Sequence, residues 1–593
     1  MSILALQKAT LIGLTENKPA ILDALQALGL MHIIPLAEPD TQAKAAKTDV
    51  SPEQLSTILS YLLGCKHKRR QILLERHFDL GSVVADAEEN RLSRLKLLER
   101  RDFLKKRIKD LSPWGNFVLP DHDELYQQRL WFYLVPNYRM HDVEKIALPW
   151  QAVFRDNRHT YVAVISPKEP AVNLMPVLRT HTGAVPLEQL KSELEDSEIE
   201  LEKLEAEREA MTRWIYLLQR SVAGIQDLDQ RCKVSNQTLD REEIFAVQGW
   251  VAKEMMDRLR TFVKEQRIVL HIEEVCADEQ PPTLLSNPTE VAGGEEVVHF
   301  FQMPGYRAWD PSRVVFFSFV GFFALIMSDA GYSLLMALCL LFYWKRMSLT
   351  ETGRRLRALG MATAGAGLIW GVMVESYFGA TAPFDWLASL KVMDLYDFDS
   401  MMKLSICIGV GHLFLANLMM AWVKRQSHQW LAPIGWALLV LIALIGWLTT
   451  FHLWHWLGMV ASLGLVLLFS SERTDWSLNR WIDGLQGLTS LTKMFGDILS
   501  YLRLFALGMA SASLAMTFNK LAIDVAAAMP AIGLLFKVLI LLAGHLINFA
   551  LTVVSGVIHG LRLNLLEFYN WSLADEGYAF QPFAKREVTS WIT

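Results

Sequence analysis

Over the first 300 residues apolar positions recur in two rhythms, and no apolar run approaches the roughly 18–20 residues that span a bilayer. ATLIGL, an apolar-periodic segment around Pro19–Leu28, and LMHIIPL read as strand, helix, strand. A long helical segment is predicted from Pro52 to about Leu111. LWFYLVP and HTYVAVIS read as strands of a second small α/β lobe, and Pro186 opens another long helix. Along it Leu187, Leu190, Leu194, Ser197, Leu201, Leu204, Arg208, Met211, Ile215 and Leu218 alternate steps of three and four, the seam of a coiled coil. FAVQGWVA, a helix over Lys253–Lys264 and IVLHIEE return to an α/β pattern.

From Val314 onward the rhythm changes to long apolar runs joined by short polar loops. Segments near 314–328, 330–344, 356–379, 403–423, 431–449, 451–470, 488–518 and 533–569 predict eight crossings, the first two short. The expected fold is therefore an α+β cytosolic region followed by an all-α membrane domain of eight transmembrane helices, the last two long and tilted. The cytosolic region, 1–310, divides into a proximal lobe (1–50 and 240–300), a long antiparallel coiled coil (52–111 and 186–235) and a distal lobe (112–185). Residues 311–593 form the membrane domain.

Composition agrees with that partition. A chain of 593 residues that is 52% hydrophobic, with mean hydropathy +0.21, is too apolar for an ordinary soluble protein and too charged to lie wholly in lipid. The five cysteines are scattered without metal spacing, and a net charge of −5 gives no reason to expect a nucleic-acid partner. No phosphate loop, GxSxG or HExxH is present, so neither catalysis nor a cofactor or metal is expected. The N-terminal stretch lacks the basic and apolar regions of a removable signal peptide. Charge also pairs the long helices: residues 91–109 hold nine bases against two acids, and residues 187–209 hold ten acids against three bases. Loop charges orient the membrane half. Lys345, Arg346, Arg354, Arg355 and Arg357 follow the second segment, whereas the 380–402 loop has only Lys391 against four aspartates. By the positive-inside rule both termini are cytoplasmic.

The last two segments carry the candidate chemistry. The seventh, from Leu488 toward Ala528, would reach about 60 Å if wholly helical, so it must tilt, bend or protrude. Arg503 lies inside it, on a face otherwise made of small residues: Gly496, Ser500, Ala506, Ala510, Ser513 and Thr517. In the eighth, His545, Asn548, Thr552, Ser555, His559 and Arg562 form one stripe about 26 Å long. Such a stripe must face protein or water. Antiparallel packing of the two segments would bring Arg503 and Arg562 to the same, cytoplasmic-side half. The candidate intramembrane carboxylates are Asp329, Glu375, Asp497 and Glu567. Plainer readings compete: Arg503 snorkelling to headgroups, Arg503 paired structurally with Asp497, Glu375 or Asp329, and the stripe as polar glue between helices. Two arginines with a continuous polar stripe favour ion passage.

ILSYLRLFALGMA and VIHGLRLNLLEFY resemble the two arginine-bearing helices of the stator a/I subunit of V-type and A-type rotary ATPases. FAVQGWVA, PPTLLSN, PGYRAWDP, SDAGY, ESYFG and EGYAFQPF resemble further signatures of that family, in its order along the chain. The resemblance implies a static membrane partner for a rotating ring of small subunits, each with one ion-binding carboxylate, in H⁺ or Na⁺ translocation. Arg503 would hold each arriving carboxylate ionised, Arg562 would support it, and the His545–Arg562 stripe would line a half-channel or face the ring. The cytosolic region would bind peripheral stalks and lie near the central stalk; ATP chemistry would sit in other subunits. Ser511 and Thr552 stand where many eukaryotic members carry a histidine and a glutamate, which favours a bacterial or archaeal-type member in a prokaryotic cell membrane. The alternative is a stand-alone secondary ion transporter with a cytosolic regulatory domain, which predicts inverted repeats and interrupted helices.

Overall fold

A computed structural model describes residues 2–37, 51–118, 127–171, 174–181, 185–382, 384–471, 473, 478–529, 532–573 and 575–586. Its first strand, β1 (Leu6–Leu14), leads through helix α1 (Lys18–Leu28) to β2 (Met31–Ile34). Pro19 stands in the first turn of α1, and Gly29 ends the helix at φ +66°, a left-handed cap that a Cβ would strain. The same strand–helix–strand unit recurs after the insertion as β3 (Ile244–Ala252), α2 (Met256–Gln266) and β4 (Val269–Glu273). The sheet runs β2–β3–β1–β4, with every pair antiparallel and Leu239–Arg241 added along β3. The alternation of β1 turns Ala9 and Leu11 onto the helices, where Ile21, Leu22, Leu25, Leu259 and Phe262 close the core. Gly249 permits the approach of β3 to β2, since a Cβ there would come within 2.4 Å of the His32 carbonyl oxygen.

The core of this lobe also takes a residue from the far end of the chain. Phe583 is 1% exposed within it, and its amide donates to the Met31 carbonyl at 2.8 Å. Ahead of it, the Gln581 amide donates to His32 Nδ1 at 3.0 Å, and Glu576–Gly577 pairs with Met303–Pro304. The segment after the last helix is thus a strap across the lobe. Burial holds the His32 imidazole below its ordinary pKa, and Nδ1 can accept the Gln581 N–H only from a neutral ring.

After α3 (Gly293–Phe301) the apolar half is built of α4 (Ser312–Met327), α5 (Ala330–Met347), α6 (Glu351–Met373), α7 (Phe398–Val423), α8 (Leu431–Leu448), α9 (Leu453–Phe469), α10 (Leu478–Ser500), α11 (Leu502–Ala528) and α12 (Gly533–Arg562). Among the described residues, five helical stretches are long and apolar enough to cross a membrane: Glu351–Met373, Phe398–Val423, His428–Leu448, Leu478–Ala528 and Gly533–Ser572. Ser312–Met327 and Leu453–Phe469 are apolar but shorter. The seventh predicted segment is broken between α10 and α11, which the sequence left open as a bend.

The chain divides into two compact units, Met1–Pro39 with Val234–Ala584 and Asp40–Lys233 with Lys585–Thr593. In the second unit a three-stranded antiparallel sheet of Arg129–Pro136, His159–Ser166 and Trp150–Arg155 packs two faces. Trp131, Tyr133 and Val135 face one core, while Phe132 joins Trp114, Leu104, Leu187 and Leu190 in another. Helices Leu80–Leu111 and Leu187–Met211 exchange ion pairs Arg94–Glu205 (2.8 Å), Arg100–Glu193 (2.6 Å) and Lys105–Glu198 (2.7 Å). Partner numbers rise in one helix as they fall in the other, so the two run antiparallel.

The single helix predicted from Pro52 to Leu111 is not formed. Pro52–Leu63 ends at Gly64, and a new helix starts at Leu80 on the Asp79 cap, whose side chain accepts the Ser82 amide at 3.0 Å. The intervening segment satisfies a second helix break at Thr212–Trp214: the Arg69 amide donates to Thr212 Oγ1 at 2.9 Å and the Ile72 amide to the Arg213 carbonyl at 3.0 Å. Two interruptions at one level pair with each other, a relation that helical periodicity does not encode.

Candidate functional site

Arg503 is placed by the break two residues before it. The Tyr501 amide bonds to the Ile498 carbonyl at 3.1 Å and the Leu504 amide to the Tyr501 carbonyl at 3.0 Å, the tighter spacing of a 3₁₀ turn. Tyr501 is fully buried, and its hydroxyl shares a hydrogen bond of 2.8 Å with His412 Nδ1 on α7. Gly409, one turn back on α7, leaves room for the phenol ring; a Cβ there would stand 2.8 Å from it. Phe568 stacks on the His412 ring at 4.3 Å.

Past the break, α11 and α12 run antiparallel, and their shared face holds most of the predicted stripe. His545 joins Tyr332 (2.8 Å) and Asn519 (3.0 Å); Asn548 donates to the Tyr332 hydroxyl (3.0 Å) and the Ser511 carbonyl (2.9 Å). Thr552 donates to the Asn548 carbonyl and shares a bond with Ser511, both at 2.7 Å. Asn548, Thr552 and Ser511 are buried, Ser555 and His559 half-buried, and Arg562 is exposed over about half its side chain. The stripe therefore splits into a hydrogen-bonded inner section and a more open section from Ser555 to Arg562.

At the open end Arg503, Arg562 and Glu567 lie within electrostatic reach of one another, and His559 within reach of both arginines. Arg562 Nε is 3.8 Å from Glu567 Oε1. Arg503 Nη1, His559 Nδ1 and Glu567 Oε2 are buried without a hydrogen-bond partner among the described residues. In a regular α-helix five steps would place Glu567 about 140° around from Arg562. A π turn over Leu563–Phe568 brings the two together instead, held by Asn564, whose Nδ2 donates to the Gly560 carbonyl at 2.9 Å and whose Oδ1 accepts from Ser318. The sequence marked Glu567 only as a candidate carboxylate; its five-residue offset from Arg562 gave no sign of this pairing.

The other candidate carboxylates are engaged elsewhere. Asp329 accepts from the amides of Tyr332, Phe378 and Gly379 at 3.0 Å each and from the Ser376 hydroxyl at 2.7 Å. Glu375 pairs with Lys391 at 3.2 Å, and Asp497 accepts the Trp571 indole N–H at 2.7 Å. On the Arg503 face Gly496, Ala506, Ala510 and Thr517 are exposed and Ser500 and Ser513 half-buried. The small residues thus leave the guanidinium beside an uncovered strip.

Fold and site together define a multi-helix membrane protein with an α/β lobe and a two-arginine cluster at paired helix irregularities. No family model matches the chain. It is 29% identical over 421 residues to the V-type ATP synthase subunit I of Chlamydia pneumoniae, covering 58% of this chain and 61% of that one. To the A-type ATP synthase subunit I of Methanocaldococcus jannaschii it is 25% identical, over 66% and 64% of the two chains. The alignment with the V-type ATP synthase subunit I of Borreliella burgdorferi, at 23% identity, covers 98% and 99%. The chain is thus a homologue of V-type and A-type ATP synthase subunit I proteins. It spans under two thirds of the length of the first relatives, 61% to 64%. A crystal structure of the cytoplasmic N-terminal domain of subunit I of V-ATPase matches 45% of the chain at 13% identity and a TM-score of 0.24, too slight a likeness to carry an argument.

Proposed function

We propose that this chain is the stator subunit of a V/A-type rotary ATPase, with ATP chemistry in partner subunits. With a rotating ring of small membrane subunits, each bearing one carboxylate, it forms the path for H⁺ or Na⁺. In this reading the chain crosses a prokaryotic cell membrane eight times with both termini in the cytoplasm, and the cytosolic region anchors peripheral stalks beside the central stalk. The observation that carries this reading is Arg503 Nη1, buried without an acceptor among the described residues, on a helix face whose neighbours Ala506 and Ala510 are exposed. An arginine cannot shed its proton to ease burial, so it calls for an anion, and the uncovered small-residue strip admits one from another chain. A passing carboxylate is held ionised at Arg503, and the fixed positive charge blocks ions from crossing directly between half-channels.

Two interrupted helices at the site also fit the stand-alone transporter. One experiment separates the readings. In vesicles holding the whole complex, Arg503→Ala should abolish ATP-driven ion uptake while the complex still assembles. Normal uptake by that variant, or gradient-driven transport by the purified chain alone, would overturn the stator reading.

A further inference from the structure

We infer that Glu567 is the resident counter-charge of the two arginines, setting the site at one net positive charge so that a single visiting carboxylate neutralises it. This rests on the rotary reading above. Glu567 is 4% exposed; one oxygen stands 3.8 Å from Arg562, the Ser500 hydroxyl lies within reach of the carboxylate, and Oε2 makes no hydrogen bond of regular geometry among the described residues. An ion pair built only for stability would engage both oxygens of so deeply buried a group, because an unmet lone pair there is costly. Arg503 on α11, Arg562 on α12 and the Ser500 hydroxyl on α10 act on it directly and its charge reaches Tyr501 at the break, while His559 lies beside the two arginines and Lys493 beside Asp497. Asp497 is tied to Trp571. The π turn is what brings this negative charge to the arginines.

The physical role follows from charge counting. Two arginines alone would hold an arriving carboxylate so firmly in its ionised form that it could not take up its next ion. With Glu567 present the attraction is halved in charge. The carboxylate is stripped of its ion on arrival and remains able to bind another on leaving.

The test compares the whole complex in vesicles carrying Glu567→Gln, Glu567→Asp, Arg562→Gln, or both Arg562→Gln and Glu567→Gln. Glu567→Gln should raise the H⁺ or Na⁺ activity needed for half-maximal ATP-driven pumping by about tenfold, the effect of one added charge near a carboxylate. Glu567→Asp should stay close to the unsubstituted protein, and the double variant, whose net charge is restored, should return toward its ion dependence. An unshifted ion dependence in Glu567→Gln, or a double variant no better than Glu567→Gln, overturns the inference. If Glu567→Gln does not assemble, the double variant decides by the same measure. Failure here leaves the stator reading standing so long as Arg503→Ala still stops pumping; normal pumping by Arg503→Ala removes both.

Discussion

The hydroxyl of Tyr501 and Nδ1 of His412 share a 2.8 Å hydrogen bond that fastens the break ahead of Arg503 to α7. Both side chains are buried, and His412 Nε2 has no partner among the described residues, so this bond is the ring's one polar attachment there. Tyr501→Phe should cost about 1 kcal/mol or somewhat more, because it strands a buried imidazole. Replacing both partners, as His412→Phe with Tyr501→Phe, should recover most of that loss, seen as a restored unfolding midpoint in detergent. A double variant less stable than Tyr501→Phe would show that the ring packs by shape and not through the bond.

The C-terminal strap should be released by acid. Once the strap lifts, His32 is exposed and takes a proton near pH 6.5. Docked, its pKa is lowered by burial, so the docked state binds fewer protons. The docked state therefore loses stability as pH falls below about 6.5, down to the lowered docked pKa, and is insensitive to pH above that window. Hydrogen exchange over residues 576–584 should quicken in that range. His32→Asn, whose side-chain oxygen can accept the Gln581 amide without titrating, should remove the pH dependence. Phe583→Ala should loosen the strap at every pH, at a cost of about 3–5 kcal/mol.

In the second unit, burial separates polar groups that matter from those that matter little. Asn90 is 4% exposed; it donates to the Leu204 carbonyl at 3.0 Å and Glu207 at 3.1 Å, and accepts from the Tyr61 hydroxyl at 2.7 Å. Asn90→Ala should cost about 1–3 kcal/mol, since it leaves those groups unpaired. The exposed Arg100–Glu193 pair is a surface ion pair, and Arg100→Ala should cost no more than about 1 kcal/mol. Hydrogen exchange along Leu187–Met211 would rank the two, and a larger effect from Arg100 would contradict this ordering.

What was legible in the sequence follows from which signals are periodic. The period-2 alternation of FAVQGWVA and HTYVAVIS and the three-and-four steps of α11 and α12 are statements about one face of one element, and the structure forms those elements. The interruptions were not legible. Arg69 and Ile72, in the segment after Gly64, donate their amides to the 3₁₀ stretch at Thr212–Trp214 across more than a hundred residues, and Tyr501 bends its helix onto His412, 89 positions away. Glu567 stood among the candidate carboxylates, but its pairing with Arg562 was hidden for a related reason: a π turn changes the phase of the helix, and a stripe drawn at the α-helical period passes it by. Trp150–Arg155 was also missed, an outer strand exposed along most of its length and so without clear alternation.

The split of the polar stripe yields the last prediction. Thr552 is 4% exposed and spends its hydroxyl on Ser511 and the Asn548 carbonyl. Thr552→Val keeps the shape and removes both bonds, so it should destabilise by about 1–2 kcal/mol while ATP-driven ion uptake by the assembled complex stays near normal. His559 is half-buried beside Arg503 and Arg562, with Nδ1 unpaired among the described residues. His559→Ala should leave stability nearly unchanged, because few bonds are lost, yet lower uptake severalfold, because it alters the polar lining beside the arginines. Measuring uptake per assembled complex separates the two effects. The opposite result, with Thr552→Val slowing uptake and His559→Ala not, would place the ion path through the inner section of the stripe, where the hydrogen bonds of Asn548 and Thr552 would have to open for each ion that passes.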